Sequence, residues 1–356
     1  MARPRFHPLR IAEVRRETAD CVSLSFDVPD RLRASYRFTP GQYLTLRTVL
    51  DGEPVRRSYS ICSGLDDGEL RVAIKLLENG AFSHRVHGRL QPGDMLDVMT
   101  PDGRFGVPIE PGGGRTLVAF AAGSGITPIL SILKTTLHRE RGQFMLFYGN
   151  RSIGSIIFRE ALEDLKDRFL SRLSVFHVLS RERQDVPALN GRLDAERVAG
   201  LMRTMVPADV AHAFVCGPQP MIEGLEKVLL DFVLGREQVH VERFTPGTGG
   251  RPVPVPPEVA EATPVAEATV IFEGGRSTFP VAANEAIIDA GLRAGLNLPF
   301  SCKGGMCCTC RARLIDGRVE MAVNYSLEPW ETEAGYVLTC QSRPVTPRVV
   351  IDYDVV

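Results

Sequence analysis

The sequence predicts three domains: an antiparallel β-barrel, a doubly wound α/β domain and a small α+β domain closing the chain. Three observations predict it. Short β-type runs between Gly, Pro and Asp turns fill residues 5–107. From Arg115 the rhythm changes to strands alternating with amphipathic helices. A Pro/Gly-rich stretch then interrupts the chain, and five of the eight cysteines fall within the last 55 positions. The expected boundaries are 1–108, 109–244, a linker at 245–267, and 268–356.

In the first domain the β-type runs are Leu9–Val14, Val22–Phe26, Tyr43–Arg47, Arg56–Cys62 and Leu70–Lys75. Short strands at such spacing suit an antiparallel barrel or sandwich. In the second, TLVAFAA (116–122), FMLFYG (144–149), LSVFHVLS (173–180) and HAFVCG (212–217) read as strands. Each is followed by a helix-like run, the last being MIEGLEKVLLDFV (221–233). Alternation of this kind builds a parallel sheet covered on both faces. The linker TPGTGGRPVPVPPEVAEATPVAE has no hydrophobic period, and Pro-rich stretches are semi-extended spacers. The 89 residues after it hold little core, which fits help from a metal.

Composition bounds the partners. Of 356 residues 44% are hydrophobic and 24% charged, and the net charge is −1. No global basic field draws the chain to nucleic acid or anionic lipid. No apolar run reaches the roughly 18 residues of a membrane helix. Residues 1–10 lack the apolar centre of a secretory signal, so a cytoplasmic protein is expected. Clustered cysteines in such a protein point to metal and not to a disulfide framework.

The cysteines carry the sharpest signal. Cys302-x4-Cys307-x2-Cys310, with Cys340 thirty positions later, is the spacing of a plant-type [2Fe–2S] cluster. Four thiolates must wrap two irons, and Lys303, Gly304 and Gly305 suit a loop that turns backbone N–H groups inward. Zinc prefers paired C-x2-C knuckles, and only one end here has that spacing. Cys308 stands beside Cys307 as an alternative ligand, but the x4 and x2 spacings fit only with Cys307 and Cys310. His84, His87 and His138 follow no ligand spacing and read as ordinary helix or surface residues.

The second signal is Gly123-Ser124-Gly125-Ile126-Thr127-Pro128, between a strand and a helix. Glycines let the backbone approach a phosphate, and the helix N-terminus supplies free N–H groups and positive dipole. Pro128 replaces the third Gly of the dinucleotide fingerprint, yet Pro is tolerated in a first helical turn. No Asp or Glu follows the second strand to hold a ribose hydroxyl. Ser180, Arg181 and Arg192 follow the third strand and suit a 2′-phosphate clamp, which favours NADPH. Cys216-Gly217-Pro218 lies at another strand end, where α/β ligands bind.

Together these features resemble the ferredoxin–NADP reductase superfamily over residues 5–244, followed by a plant-type ferredoxin domain. The resemblance implies a site. Arg57-Ser58-Tyr59-Ser60 is similar to the family's flavin motif: Arg57 on the FAD pyrophosphate, Tyr59 on the isoalloxazine, Ser60 near its reactive nitrogen. Gly80-Ala81-Phe82-Ser83 resembles the second phosphate-contacting turn, which adds Gly80 and Ser83. Gly123, Gly125, Thr127, Pro128, Cys216 and Gly217 match the pyridine-nucleotide motifs. Val241-Glu242-Arg243-Phe244 resembles the closing segment, with Glu242 near the nicotinamide and Phe244 as the aromatic shield, although here the chain continues past it. Ser60, Cys216 and Glu242 are the expected catalytic residues, and Cys302, Cys307, Cys310 and Cys340 the expected metal ligands.

A nicotinamide delivers two electrons together and a [2Fe–2S] group accepts one, so a flavin between them can split the pair. The implied route is NADPH to FAD to [2Fe–2S] to an external acceptor. The run from Asn324 to Gln341 resembles the reductases that serve phenylacetyl-CoA epoxidase in phenylacetate degradation. It implies a di-iron oxygenase as partner, with a steroid or aromatic-ring hydroxylating oxygenase as the alternative. No helix-like segment carries the Glu-x-x-His pattern of di-iron helices, so oxygen activation belongs to another chain. Residues 267–356 carry 8 basic and 11 acidic side chains, which favours a basic docking patch and salt-sensitive association.

Overall fold

The computed structural model describes residues 5–355 apart from 51, 79, 233–234 and 245–263. The expected linker therefore lies outside the described residues up to 263, as does the last residue of the helix-like run ending at 233. Two compact units emerge: Arg5–Phe244, and the described residues beyond it.

The first unit opens with β1 (Phe6–Thr18), β2 (Cys21–Asp27), β3 (Tyr43–Leu50), β4 (Glu53–Ser60), β5 (Leu70–Lys75), α1 (Ala81–Arg89) and β6 (Met95–Met99). The strands run β4-β3-β6-β1-β2-β5, all antiparallel. Just past β4, Ile61 bridges Val72 and the Cys62 N–H donates to the Arg71 carbonyl at 2.9 Å, so the two edge strands meet and close the barrel. Leu9, Ile11, Leu24, Leu44, Leu46, Val72, Ile74 and Val98 fill it, with Phe82 and Val86 of α1 against them.

The α/β part follows: β7 (Thr116–Ala122), α2 (Ile126–Arg139), β8 (Gln143–Asn150), α3 (Arg159–Arg168), β9 (Leu173–Leu179), α4 (Ala195–Met205), β10 (Val210–Cys216), α5 (Gln219–Asp231) and β11 (Val239–Glu242). The sheet is parallel throughout, in the order β11-β10-β7-β8-β9. Successive side chains of a strand point to opposite faces. Leu117, Ala119 and Ala121 accordingly join Phe144, Leu146 and Tyr148 under α2 and α3. Val118 and Phe120 join Met145 and Phe147 under α4 and α5. Both faces are thus buried, which is why these strands read as unbroken apolar runs.

The second unit contains β12 (Pro264–Phe272), β13 (Gly275–Ala282), α6 (Ile287–Arg293), β14 (Arg311–Asp316), β15 (Val319–Met321), α7 (Pro329–Glu333), β16 (Tyr336–Leu338), β17 (Ser342–Pro344) and β18 (Arg348–Asp352). A mixed sheet runs β13-β12-β18-β14-β16, with β15 and β17 as a separate pair. β12 begins at Pro264, inside the stretch read as linker, because Pro264, Ala266 and Glu267 already pair with β13. The segment between α6 and β14 has no regular strand and carries four of the cysteines.

Candidate functional site

Three sets of site residues are built by three local constraints. The first is the cysteine loop. Lys303, Gly305 and Cys308 all have left-handed backbones (φ 49°, 75° and 54°), so the chain coils tightly round the thiols. Such geometry costs non-glycine residues about 1–3 kcal/mol. A Cβ on Gly305 would lie 3.1 Å from the Val323 carbonyl oxygen. The loop is held from outside: the Tyr325 N–H and Ser326 hydroxyl both donate to the Gly305 carbonyl at 3.1 Å, and Lys303 Nζ pairs with Asp289 at 2.6 Å.

The four spaced thiols form two hydrogen-bonded pairs, Cys302 with Cys307 and Cys310 with Cys340. Sharing a proton splits each pair. The bond from Cys307 draws Cys302 down to about 7, while Cys307 is pushed well up by that bond and by burial. The bond from Cys310 likewise lowers Cys340 and raises Cys310. Two thiol pairs, with the Gly304 N–H donating to Cys302 Sγ at 3.3 Å, fit a two-iron group. The Cys308 thiol donates to the Ser326 carbonyl at 3.5 Å.

The second set lies at the strand ends of the parallel sheet. β7, β10 and β11 are in register there, with Ala121 opposite Cys216 and Cys216 opposite Glu242. Gly123 has φ 54°, a conformation glycine adopts without penalty. A Cβ on Gly125 would lie 2.0 Å from the Cys216 carbonyl oxygen, so only glycine lets α2 start against that strand end. Thr127 is buried and its hydroxyl donates to the Ser124 carbonyl at 3.0 Å; Pro128 follows it in the first turn. A Cβ on Gly217 would lie 2.5 Å from the flexible methyl end of Met221 and 3.2 Å from the Ala122 Cβ. Burial, reinforced by the Glu242 charge, holds the Cys216 thiol well above its ordinary value, so it stays a neutral thiol. Phe244, two residues past the end of β11, is 37% exposed.

Ser180 and Arg181 follow β9, and the turn carrying Arg192 runs beside the strand end, where Leu179 bridges Asn190. The Gly191 N–H donates to the Leu179 carbonyl at 2.7 Å, which lays the 190–192 turn beside the strand end. All three are exposed, and no ion pair involves either arginine among the described residues. The Glu182 carboxylate is occupied by the Ile153 N–H at 2.8 Å.

The third set is on the barrel. Tyr59 is half-buried, its ring 5.7 Å from Phe82, and burial raises its phenol above the ordinary range. Ser60 is buried at the end of β4, whereas Arg57 is exposed and its guanidinium donates to the neighbouring Arg56 carbonyl at 2.7 Å. Gly80 caps α1, and Ser83 closes the turn: its hydroxyl donates to the Gly80 carbonyl at 2.8 Å and accepts from the Leu77 N–H at 3.1 Å.

Sequence reasoning missed several neighbours. Lys75 Nζ stands 3.7 Å from where a Gly123 Cβ would be, so a cation from the barrel overhangs the Gly-x-Gly loop. Tyr148 donates to the Gly123 carbonyl at 2.9 Å. Gln341 reaches back to the cysteine loop. Each contact joins residues far apart in the chain, and no local pattern announces it. The rings of His84, His87 and His138 all bond backbone carbonyls, as ordinary helix residues do.

Comparison with known proteins agrees with this division. Residues 8–106 match the oxidoreductase FAD-binding domain family, 120–227 the oxidoreductase NAD-binding domain family, and 270–345 the 2Fe-2S iron-sulfur cluster binding domain family. The fold and these sites define a pyridine-nucleotide-dependent flavin iron–sulfur oxidoreductase that transfers electrons. The chain is 43% identical to one of the subunits of 1,2-phenylacetyl-CoA epoxidase from Escherichia coli (strain K12), covering 98% of each. It is 34% identical to the ferredoxin reductase component of 3-ketosteroid-9-alpha-monooxygenase from Rhodococcus rhodochrous, covering 97% of this chain and 96% of that one. Its fold matches phthalate dioxygenase reductase with a TM-score of 0.57 at 22% identity, covering 98% of both chains. The chain belongs to the family of oxygenase reductase components that includes this epoxidase protein. No described helix is long and apolar enough to cross a membrane.

The contact between Gly125 and the Cys216 carbonyl generates a prediction. Gly125→Ala is expected to slow anaerobic flavin reduction by pyridine nucleotide about 100-fold, the scale of an ångström-level misplacement. Flavin and iron content should be unchanged, and reduction at the wild-type rate would contradict the close packing.

Proposed function

We propose that this chain is the reductase of a di-iron oxygenase that epoxidises the ring of phenylacetyl-CoA, with NADPH as its electron source. The observation that carries the reading is the 43% identity to the epoxidase protein along nearly the whole chain. The 34% identity to the ketosteroid monooxygenase component supports the second reading, a steroid or aromatic-ring hydroxylating oxygenase.

In this reading Cys302 and Cys307 hold one iron and Cys310 and Cys340 the other. Arg57 meets the FAD pyrophosphate, Gly80 and Ser83 form the second phosphate turn, Tyr59 offers a flat face to the flavin ring and Ser60 a hydroxyl near its reactive nitrogen. Gly123, Gly125, Thr127, Pro128 and Gly217 let the nucleotide lie on the strand ends, and Phe244 stands at the exit of the closing strand. Cys216 and Glu242 flank the nicotinamide, the thiol uncharged and the carboxylate its neighbour across the strand register. FAD, when bound, accepts an electron pair and releases it singly. Ser180, Arg181 and Arg192 take the 2′-phosphate. Their exposure and the absence of ion pairs to either arginine among the described residues support that role.

Three measurements test these assignments. Cys308→Ser is expected to keep the visible spectrum and the iron content, and Cys310→Ser to lose or alter them; loss in Cys308→Ser alone would reverse the ligand set. A charge-assisted contact to phosphate is worth about 1.5–3 kcal/mol. Arg181→Ala should therefore raise KM for NADPH by about 10- to 100-fold with little change for NADH. Equal kcat/KM for the two nucleotides in the wild type would remove the NADPH assignment. Reconstitution with NADPH, oxygen and the epoxidase oxygenase subunits should yield the epoxide of phenylacetyl-CoA. Turnover only with a steroid or ring-hydroxylating oxygenase would favour the second reading.

A further inference from the structure

Gln341 immediately follows the fourth cysteine, and its placement is tightly constrained. Its main chain is held on both sides, the N–H donating to the Leu338 carbonyl at 2.8 Å and the carbonyl accepting from the Ala322 N–H at 3.0 Å. Its side chain is buried. From there Nε2 reaches 38 residues back to donate to the Lys303 carbonyl at 2.8 Å, and the same nitrogen lies 3.5 Å from Cys340 Sγ. Space for this path exists because position 305 is glycine: a Cβ there would approach Gln341 Cγ to 3.2 Å.

We propose that Gln341 is a positioning residue for the [2Fe–2S] group, whose amide donates to the Cys340 sulfur and favours the reduced form. One-electron reduction adds one negative charge across the irons, the sulfides and the four cysteine sulfurs. No bond breaks and no proton is required, and the electron comes from the flavin of the established reaction. A fixed N–H aimed at one of those sulfurs binds the more negative state more strongly, and hydrogen bonds to ligand sulfur are among the levers that set cluster potential. The location adds weight. Cys310 and Cys340 are 2% and 7% exposed, whereas Cys302 and Cys307 are half-buried. A protein donor beside a sulfur buried to this degree acts in a low-dielectric setting, where each hydrogen bond counts for more. The bond to Lys303 keeps the amide from rotating away.

The role of Gln341 rests on Cys340 being a ligand, and the test separates the two ideas. Full-length protein carrying flavin and cluster is titrated against a mediator dye, with the reduced cluster followed by electron paramagnetic resonance. Gln341→Met keeps length and apolar packing but removes the donor. It is expected to shift the one-electron equilibrium about tenfold towards the oxidised cluster, a fall of about 59 mV. Gln341→Glu, an acceptor when ionised, should shift it at least as far. Intact clusters with the wild-type equilibrium in both variants would overturn the proposal and leave the cysteine assignment standing. If neither variant holds a cluster, wild-type protein labelled with 15N in the glutamine side-chain amide decides the matter. Pulsed resonance of the reduced cluster should show coupling to an amide 15N, and its absence would overturn the proposal equally.

Discussion

Helix α2 is the element on which the cofactor-binding unit depends. Its first turn grows out of the Gly-x-Gly loop, and its flank is tied to the barrel segment that leaves β4. The Ser131 hydroxyl donates to the Ser63 carbonyl at 2.7 Å, and the Leu65 N–H donates to Thr135 Oγ1 at 3.1 Å. Lys134 pairs with Asp67 at 2.7 Å and Arg139 with Asp66 at 2.9 Å. These contacts are not equal. The Arg139–Asp66 pair is about 40% exposed on both sides, and such pairs contribute about 0–1 kcal/mol. The Ser131 bond is buried, and leaving the Ser63 carbonyl without it would cost about 1–3 kcal/mol. Beneath them runs one apolar core, in which Cys21, Cys62, Ala73 and Phe105 of the barrel side join Leu117, Ile129, Leu133 and Phe214. Ser63 lies three residues beyond Ser60, so β4 and α2 are joined within one compact unit.

The cluster-binding unit solves a different problem. Four thiols gathered as two hydrogen-bonded pairs repel once ionised, and burial penalises each charge further. Within each hydrogen-bonded pair one thiol is lowered and its partner raised. Metal binding to such thiols displaces their protons, which couples affinity to pH as for any thiolate site. The framework is locked from behind. Thr339 bonds the Cys310 carbonyl through both its N–H and its hydroxyl, and that hydroxyl meets Tyr353 OH at 2.6 Å. The buried Glu331 carboxylate pairs with Arg311, the residue after Cys310.

Much of this was legible in the sequence, for physical reasons. The strands of the α/β part are buried on both faces, so their apolar runs stand out, and the glycines of the 123–125 loop sit where a strand gives way to a helix. The cysteine spacing was readable because four ligands to two irons leave little freedom in a short loop. What escaped was short or depended on distant partners. β6 has five residues, and its pattern is masked by the turn before it. α1 begins at the segment read as a phosphate turn, and the Gly80 carbonyl and Ser83 hydroxyl shape that turn. The placing of the 190–192 turn beside β9 rests on the 191-to-179 backbone bond, and the placing of Lys75 and Gln341 on the nearness of residue 75 to 123 and on the bond from 341 to 303. Such contacts are set by topology, and no local period encodes them.

In the proposed route electrons enter at the parallel-sheet strand ends, pass through the flavin of the barrel and leave through the paired thiols. Anaerobic rapid mixing of the flavin- and cluster-loaded protein with one equivalent of NADPH tests that order, with flavin absorbance and the cluster resonance signal followed together. Flavin bleaching is expected first, with the cluster signal rising at the expense of reduced flavin, and protein stripped of flavin should leave the cluster oxidised. Cluster reduction in the flavin-free protein at the same rate would contradict the route.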